Sequence, residues 1–275
     1  MEAPRVLTPA DIPGAMRLKE AANWNQTEQD WRNVMAMEPE GCFGIECDGR
    51  LIATTTAVRY GRDLAWIGMV LTDPAFRGRG FARRLMEHAL DWLRANGAGW
   101  IKLDATDMGR PLYAKLGFAD ECAIERWGRP PGSAPSAQAA AALNPQTFAA
   151  MDRAAFGTDR STLLRLLGAG EAAAIPAQGY VMGRPGSKAA YFGPCVALSP
   201  AAARELVSWF VARHAHETIF WDILPENQAA VAIAQEFGFA PLRRLVRMSL
   251  AGRTDVTEFV HHDENVFAIA GFEYG

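Results

Sequence analysis

Residues 72–85 read TDPAFRGRGFARRL, and their glycines and arginines alternate just ahead of an amphipathic run. Gly78 and Gly80 allow the backbone to fold tightly where a strand passes into a helix. Successive N–H groups then converge with the positive end of the helix on one point, and such a point binds phosphate. Arg77, Arg79, Arg83 and Arg84 add positive charge at the same place. A glycine-rich turn with solvated arginines would show the same residues, so the surroundings must decide. Two phosphate-loop types are excluded: no GK[ST] is present, and the dinucleotide fingerprint requires a third glycine where Arg83 stands. Asp104, at the end of the next expected strand, imitates the ribose-binding acid of that fingerprint. The strand that feeds this loop, however, ends an antiparallel meander and does not open a βαβ unit, which leaves a nucleotide-dependent oxidoreductase as a weak alternative.

The elements around the loop fall into a repeated order. Two short helices (TPADIPGAMRLKEAA, TEQDWRNVMAM) precede alternating segments with turns at Asp48-Gly49 and near Gly61-Arg62-Asp63, an antiparallel meander. After the loop, Leu85, Met86, Ala89, Leu90 and Leu93 recur at helical spacing. A strand (WIKLDAT), a helix through Leu116 and a last strand near CAIERW follow. A proline-, serine- and alanine-rich stretch, residues 129–144, reads as a linker, and the same order then returns. AWIGMVLTDP (65–74) sits against AYFGPCVALSP (190–200), and LYAKLGF (112–118) against IAQEFGF (233–239). The copies differ in two places: the second passes from Pro200 into its helix without the glycine-arginine loop, and it has Ala234 where the first has Tyr113. The expected domains are residues 1–128 and 145–275.

With Lys+Arg 28 against Asp+Glu 31, the chain of 275 residues has a net charge of −3, which removes the electrostatic footprint of a nucleic-acid-binding protein. No run is long and apolar enough to span a bilayer, and no leader pattern opens the chain, so no membrane partner and a cytoplasmic location are expected. Cys42, Cys47, Cys122 and Cys195 form no CxxC and read as small hydrophobes in a reducing compartment. No metal is expected; in His261-His262-Asp263-Glu264 the adjacent histidines point apart, and a turn is the better reading.

These residues resemble the GCN5-related N-acetyltransferases. The family's loop pattern, Gln/Arg-x-x-Gly-x-Gly/Ala, is matched by Arg77, Gly80 and Ala82, after a V-x-T-D-P strand and before Tyr-x-x-x-Gly-Phe. The resemblance covers nearly all of residues 1–128 and returns more weakly in the second half, where Asn227 precedes Ala234 by seven positions, as is common in active members. It implies an α/β fold of two tandem domains, each a mixed, mostly antiparallel sheet flanked by helices, the first active and the second degenerate. It also implies acetyl-CoA as cosubstrate. Backbone at Val70 and Thr72 would hold the pantetheine, and the amides from Gly78 through Arg79, Gly80 and Phe81 to Ala82, with Arg77, would hold the pyrophosphate. The Val70 amide would meet the developing oxyanion and Tyr113 would protonate the thiolate, as a phenol with a pKa near ~10 stays loaded at neutral pH.

The general base is not legible. Family members often carry a glutamate on the strand before the loop, but Leu64 to Thr72 contains no carboxylate and presents Trp66 instead. Asp104 and Asp107 remain candidates. Trp24, Glu28 and Asp30 in NWNQTEQDW would suit a cationic amine, or would simply serve the core and a helix start. The expected partner is a small-molecule amine, and the assembly a monomer or homodimer. The expected activity is acetyl transfer from acetyl-CoA to that amine; the alternative is an acyl-CoA sensor without transferase activity. One chain is expected to bind one acetyl-CoA.

Overall fold

In the computed structural model, residues 3–136, 141–142, 145–256 and 259–275 are described; parts of the expected linker, 137–140 and 143–144, lie outside these. Two compact units are present. The first comprises Met1–Asp120, Met248–Glu258 and Phe272–Gly275, and the second Glu121–Arg247 and Phe259–Gly271.

In the first unit, β1 (Arg5–Val6), α1 (Ile12–Ala21) and α2 (Glu28–Met37) lead into the meander β2 (Cys42–Cys47), β3 (Arg50–Tyr60) and β4 (Leu64–Thr72). Next come α3 (Phe81–Ala95), β5 (Trp100–Ala105) and α4 (Arg110–Lys115). The strand order is β1-β2-β3-β4-β5, antiparallel except for the parallel pair β4–β5. Leu85, Met86, Ala89, Leu90 and Leu93 are all buried, as their spacing requires, and Phe81 joins them.

The second unit repeats the plan. It begins with β6 (Ala119–Arg129) from Glu121 onward, then β7 (Ala141–Ala142), α5 (Pro145–Phe156), α6 (Ser161–Gly168), β8 (Glu171–Ile175), β9 (Gly179–Arg184) and β10 (Ala190–Ala197). α7 (Pro200–Arg213), β11 (Ile219–Ile223), α8 (Gln228–Glu236), β12 (Ala240–Ala251) and β13 (Val266–Ala268) complete it. Its core is aromatic: Trp221 stacks edge-on against Phe192 and Phe239, and Phe192 against Phe210.

The compact units do not follow the expected sequence boundary, because closing strands are exchanged. β6, expected to end the first copy, pairs antiparallel with β11 through Glu125↔Ile223 to Arg129↔Ile219 in the second unit. From Met248 the chain belongs to the first unit, where Gly252 donates to the Gly99 carbonyl at 2.7 Å. Each copy's final strand follows the same Gly-Phe helix end, so the exchange leaves no local signature. One consequence is that a chain cut at residue 144 loses part of the first unit as well as the second.

The four cysteines are free, and burial pushes the Cys42 thiol up to about 12. His261 and His262 each face the acid two residues on, Asp263 at 2.8 Å and Glu264 at 3.0 Å, just ahead of a 3₁₀ turn over Asp263–Asn265.

Candidate active site

The parallel ladder between β4 and β5 holds three pairs, Leu64↔Trp100, Ala65↔Ile101 and Trp66↔Lys102. Beyond it β4 continues to Thr72 and β5 to Ala105, so the strands part and open a cleft between their ends. A register shift between Thr54 and Thr56 marks a bulge opposite, and Met69 there takes φ of 49°. Such a backbone costs an L-residue about 1–2 kcal/mol and persists only where surroundings fix it. The Thr54 hydroxyl does so, donating to the Met69 carbonyl at 2.8 Å. Val70 follows directly, half-buried, and the Thr72 Oγ1 is buried with no protein partner among the described residues.

Past Thr72 the chain turns at Asp73, whose carboxylate accepts from the Ala75 amide at 3.0 Å and is held by Arg50 at 2.5 Å. Gly78 and Gly80 take φ of 76° and 82°, and a Cβ at either would point into open space. Gly80 is the N-cap of α3, and no side chain caps that helix. The first-turn amides therefore face outward with the helix dipole behind them. Arg77 and Arg79 stand exposed at the loop, Arg79 over the Phe76 ring at 5.1 Å, whereas Arg83 pairs with Glu87 and Arg84 lies over Phe81.

Tyr113 is buried on α4, and burial raises its hydroxyl pKa well above the ordinary phenol value. Its ring leans over Gly109: a Cβ there would lie 2.7 Å from the Tyr113 Cε2 and 3.1 Å from its hydroxyl oxygen. Gly109 has an ordinary φ of −83°, so substitution acts on the phenol's position, not on the backbone. Gly109→Ala is expected to lower turnover about tenfold or more, since small displacements of a reacting group are costly, with coenzyme affinity within about twofold. Steady-state kinetics with a coenzyme titration checks this, and unchanged turnover would detach the phenol from the chemistry.

The second unit has the same parallel opening, with three pairs from Ala190↔Ile219 to Phe192↔Trp221. Here the chain fills it. β13 pairs antiparallel with β10 (Cys195↔Ala268, Val196↔Val266), and the Trp221 indole donates to the Phe267 carbonyl at 2.7 Å. Asn227 donates to the Val266 carbonyl at 3.0 Å and caps α8 through Ala230. At the start of α7, Ser199 accepts from the Ala202 amide at 3.2 Å and Pro200 occupies the first turn, so no glycine loop intervenes. Ala234, at the position of the phenol, is fully buried.

Residues 14–118 match the model of the acetyltransferase (GNAT) family, and residues 148–268 that of the acetyltransferase (GNAT) domain. The chain belongs to the GNAT superfamily, with two such domains in tandem. It is thus an enzyme of the GNAT acetyltransferase family, whose cosubstrate is acetyl-CoA. The uncharacterized N-acetyltransferase YitH of Bacillus subtilis is 28% identical over 72% of this chain and 73% of its own length. The streptothricin acetyltransferase of Streptomyces lavendulae is 43% identical, but only over 27% of this chain and 42% of its own. A putative acetyltransferase from Pyrococcus horikoshii shares the fold with a TM-score of 0.86 at 21% identity, covering 100% of this chain and 96% of the other.

In the first GNAT unit, the candidates from NWNQTEQDW are mostly engaged in structure. The Asp30 carboxylate closes a capping box, accepting from the Thr27 amide at 2.7 Å and the Thr27 hydroxyl at 2.9 Å. Glu28 is exposed beside Arg32, and Trp24 is half-buried while Trp31 is in the core. Asp104 is half-buried near the end of β5, past the last β4–β5 pair. A carboxylate from far along the chain reaches this part of the first unit. Residues 272–275 lie against β3, β4 and α2. Trp66 donates its indole N–H to the Phe272 carbonyl at 3.0 Å, and Tyr60 its hydroxyl to the Tyr274 carbonyl at 2.6 Å. Tyr274 donates in turn to Asp30 at 3.2 Å. Glu273 is 2% exposed and accepts from the Gln26 amide at 2.8 Å. Trp66, read in the sequence as a departure from the family, is an anchor for this segment.

Proposed function

We propose that the first GNAT domain transfers an acetyl group from acetyl-CoA to the primary amine of a small molecule, and that the second domain binds no coenzyme. The observation that carries this reading is the parting of β4 from β5 after three pairs, with the uncapped, glycine-built start of α3 at its end. The residues fit the coenzyme: Thr72 has an unsatisfied buried hydroxyl in the cleft, and the space outside Gly78 and Gly80 is open.

Acetyl-CoA supplies an activated acetyl group as a thioester. The chain's part is to bind and polarise it. Amides at the head of α3 receive the pyrophosphate, and Arg77 and Arg79 offset its charge. The bulged strand presents the Val70 amide to the carbonyl oxygen as negative charge develops there. Tyr113 holds a proton for the departing sulfur. The named activity of the streptothricin relative is consistent with a small-molecule amine as acceptor.

Acetyl-CoA offered with a panel of primary amines, read by free-thiol release and mass spectrometry, tests the reading. An acetylated amine is expected. Coenzyme binding without thiol release for any amine would instead support an acyl-CoA sensor.

A further inference from the structure

Around Gly68, at the bulge of β4, the first unit collects hydrogen-bond acceptors. A Cβ built on Gly68 would lie 2.9 Å from the Glu273 Cα and 3.3 Å from the Thr56 Oγ1. The absence of a side chain is what lets residue 273 approach the strand. Gln26 must turn its amide nitrogen to the Glu273 carboxylate, which only accepts, and this leaves Gln26 Oε1 facing away. That oxygen is buried and has no partner among the described residues, as is true of Thr56 Oγ1. Gln26 is 7% exposed and Thr56 0%. Unsatisfied buried acceptors are costly, about 1–3 kcal/mol each, and call for a donor. Gln26 holds the Glu273 carboxylate, and Thr56 meets residue 273 across Gly68; a carboxylate and two oxygens lacking donors in this neighbourhood suit a ligand that brings several N–H groups and positive charge, as a primary ammonium does.

We propose that Glu273 is the residue that receives the acceptor's ammonium group and deprotonates it, with Gln26 Oε1 and Thr56 Oγ1 taking its remaining N–H groups. This rests on the transferase reading above and names the substrate class of that site as a primary alkylammonium. Glu273 takes one proton from the ammonium and passes it to solvent. The neutral nitrogen forms the C–N bond as the C–S bond breaks. The sulfur takes the proton of Tyr113, and the second nitrogen proton restores the phenol, so one proton is released per acetyl group transferred.

The test compares wild type, Glu273→Gln and Tyr274→Phe in the full chain, with glucosamine, 1,5-diaminopentane and glycinamide as probes. Glu273→Gln is expected to lower kcat/KM for the amine about 100-fold at neutral pH, the loss shrinking as pH rises toward the amine's own pKa and free amine replaces ammonium, with acetyl-CoA affinity within about twofold. Tyr274→Phe removes one anchor of the same segment but keeps the carboxylate. It is expected to lower Tm while keeping the wild-type dependence of kcat/KM on pH. Transfer by Glu273→Gln at the wild-type rate, or loss of activity that merely tracks Tm in both variants, overturns the assignment and leaves the segment a structural strap. If no amine is acetylated by the wild type although acetyl-CoA binds, the transferase reading fails. Calorimetry of the same amines then decides the site: binding abolished by Glu273→Gln upholds it, and equal binding by both proteins overturns it.

Discussion

Replacing Tyr113 with phenylalanine is expected to lower kcat by about one to three orders of magnitude while acetyl-CoA affinity stays within about twofold, the pattern of a lost general acid. The substitution keeps the ring, its edge contact with Phe118 and its place over Gly109, so the packing of α4 should survive. The pH behaviour follows from burial, which disfavours the phenolate and raises the Tyr113 pKa. A raised pKa keeps the proton in place through and above the ordinary phenol range, so Tyr113 contributes no falling limb to the rate profile at or below about pH 10. Single-turnover kinetics checks the expectation where chemistry is rate-limiting. Unchanged turnover there would reduce Tyr113 to a packing residue.

Gly80→Val should raise the acetyl-CoA Kd by about 100-fold or more. At φ of 82° an L-residue is strained by about 1–2 kcal/mol, and a β-branched one more. Apart from its chain neighbours, nothing among the described residues lies within 4 Å of the new Cβ, so the side chain would project outward at the start of α3. Relief of the strain would turn the first-turn amides away; retention of the backbone would crowd the space outside them. Either outcome costs anion binding. Titration calorimetry measures the effect, with Tm recorded to exclude unfolding. An affinity within twofold of wild type would mean that this loop does not hold the pyrophosphate.

Much of this was legible because it is local. The apolar spacing of α3, the Asp48-Gly49 turn and the glycines of the loop each determine structure within a few residues, and a parallel β4–β5 pair follows from the strand–helix–strand order. The remainder depends on contacts the sequence cannot announce. Gln26 and Glu273 are 247 residues apart, and the Gly-Phe-Glu-Tyr-Gly segment has too few residues to show a period. β13 has three residues, and nothing in Val266-Phe267-Ala268 marks it as the strand that fills the second cleft. In hindsight one signal was available. AWIG and AYFG both place a glycine where the later chain comes close: a Cβ on Gly68 would meet the Glu273 Cα at 2.9 Å, and one on Gly193 the Ile269 carbonyl oxygen at 2.2 Å. Asp30 had both readings in the sequence, and the structure shows its helix-start role, an acid three residues after Thr27 closing a capping box.

The division of labour between the two domains rests on occupancy. In the second, β13, the Asn227 amide and the Ser199 cap take up the backbone groups that the first leaves open to a ligand. Calorimetric titration of the full chain with acetyl-CoA measures this directly. The expected stoichiometry is one coenzyme per chain. A value near two would show that the second cleft still accepts coenzyme despite its own strand, and would contradict the account.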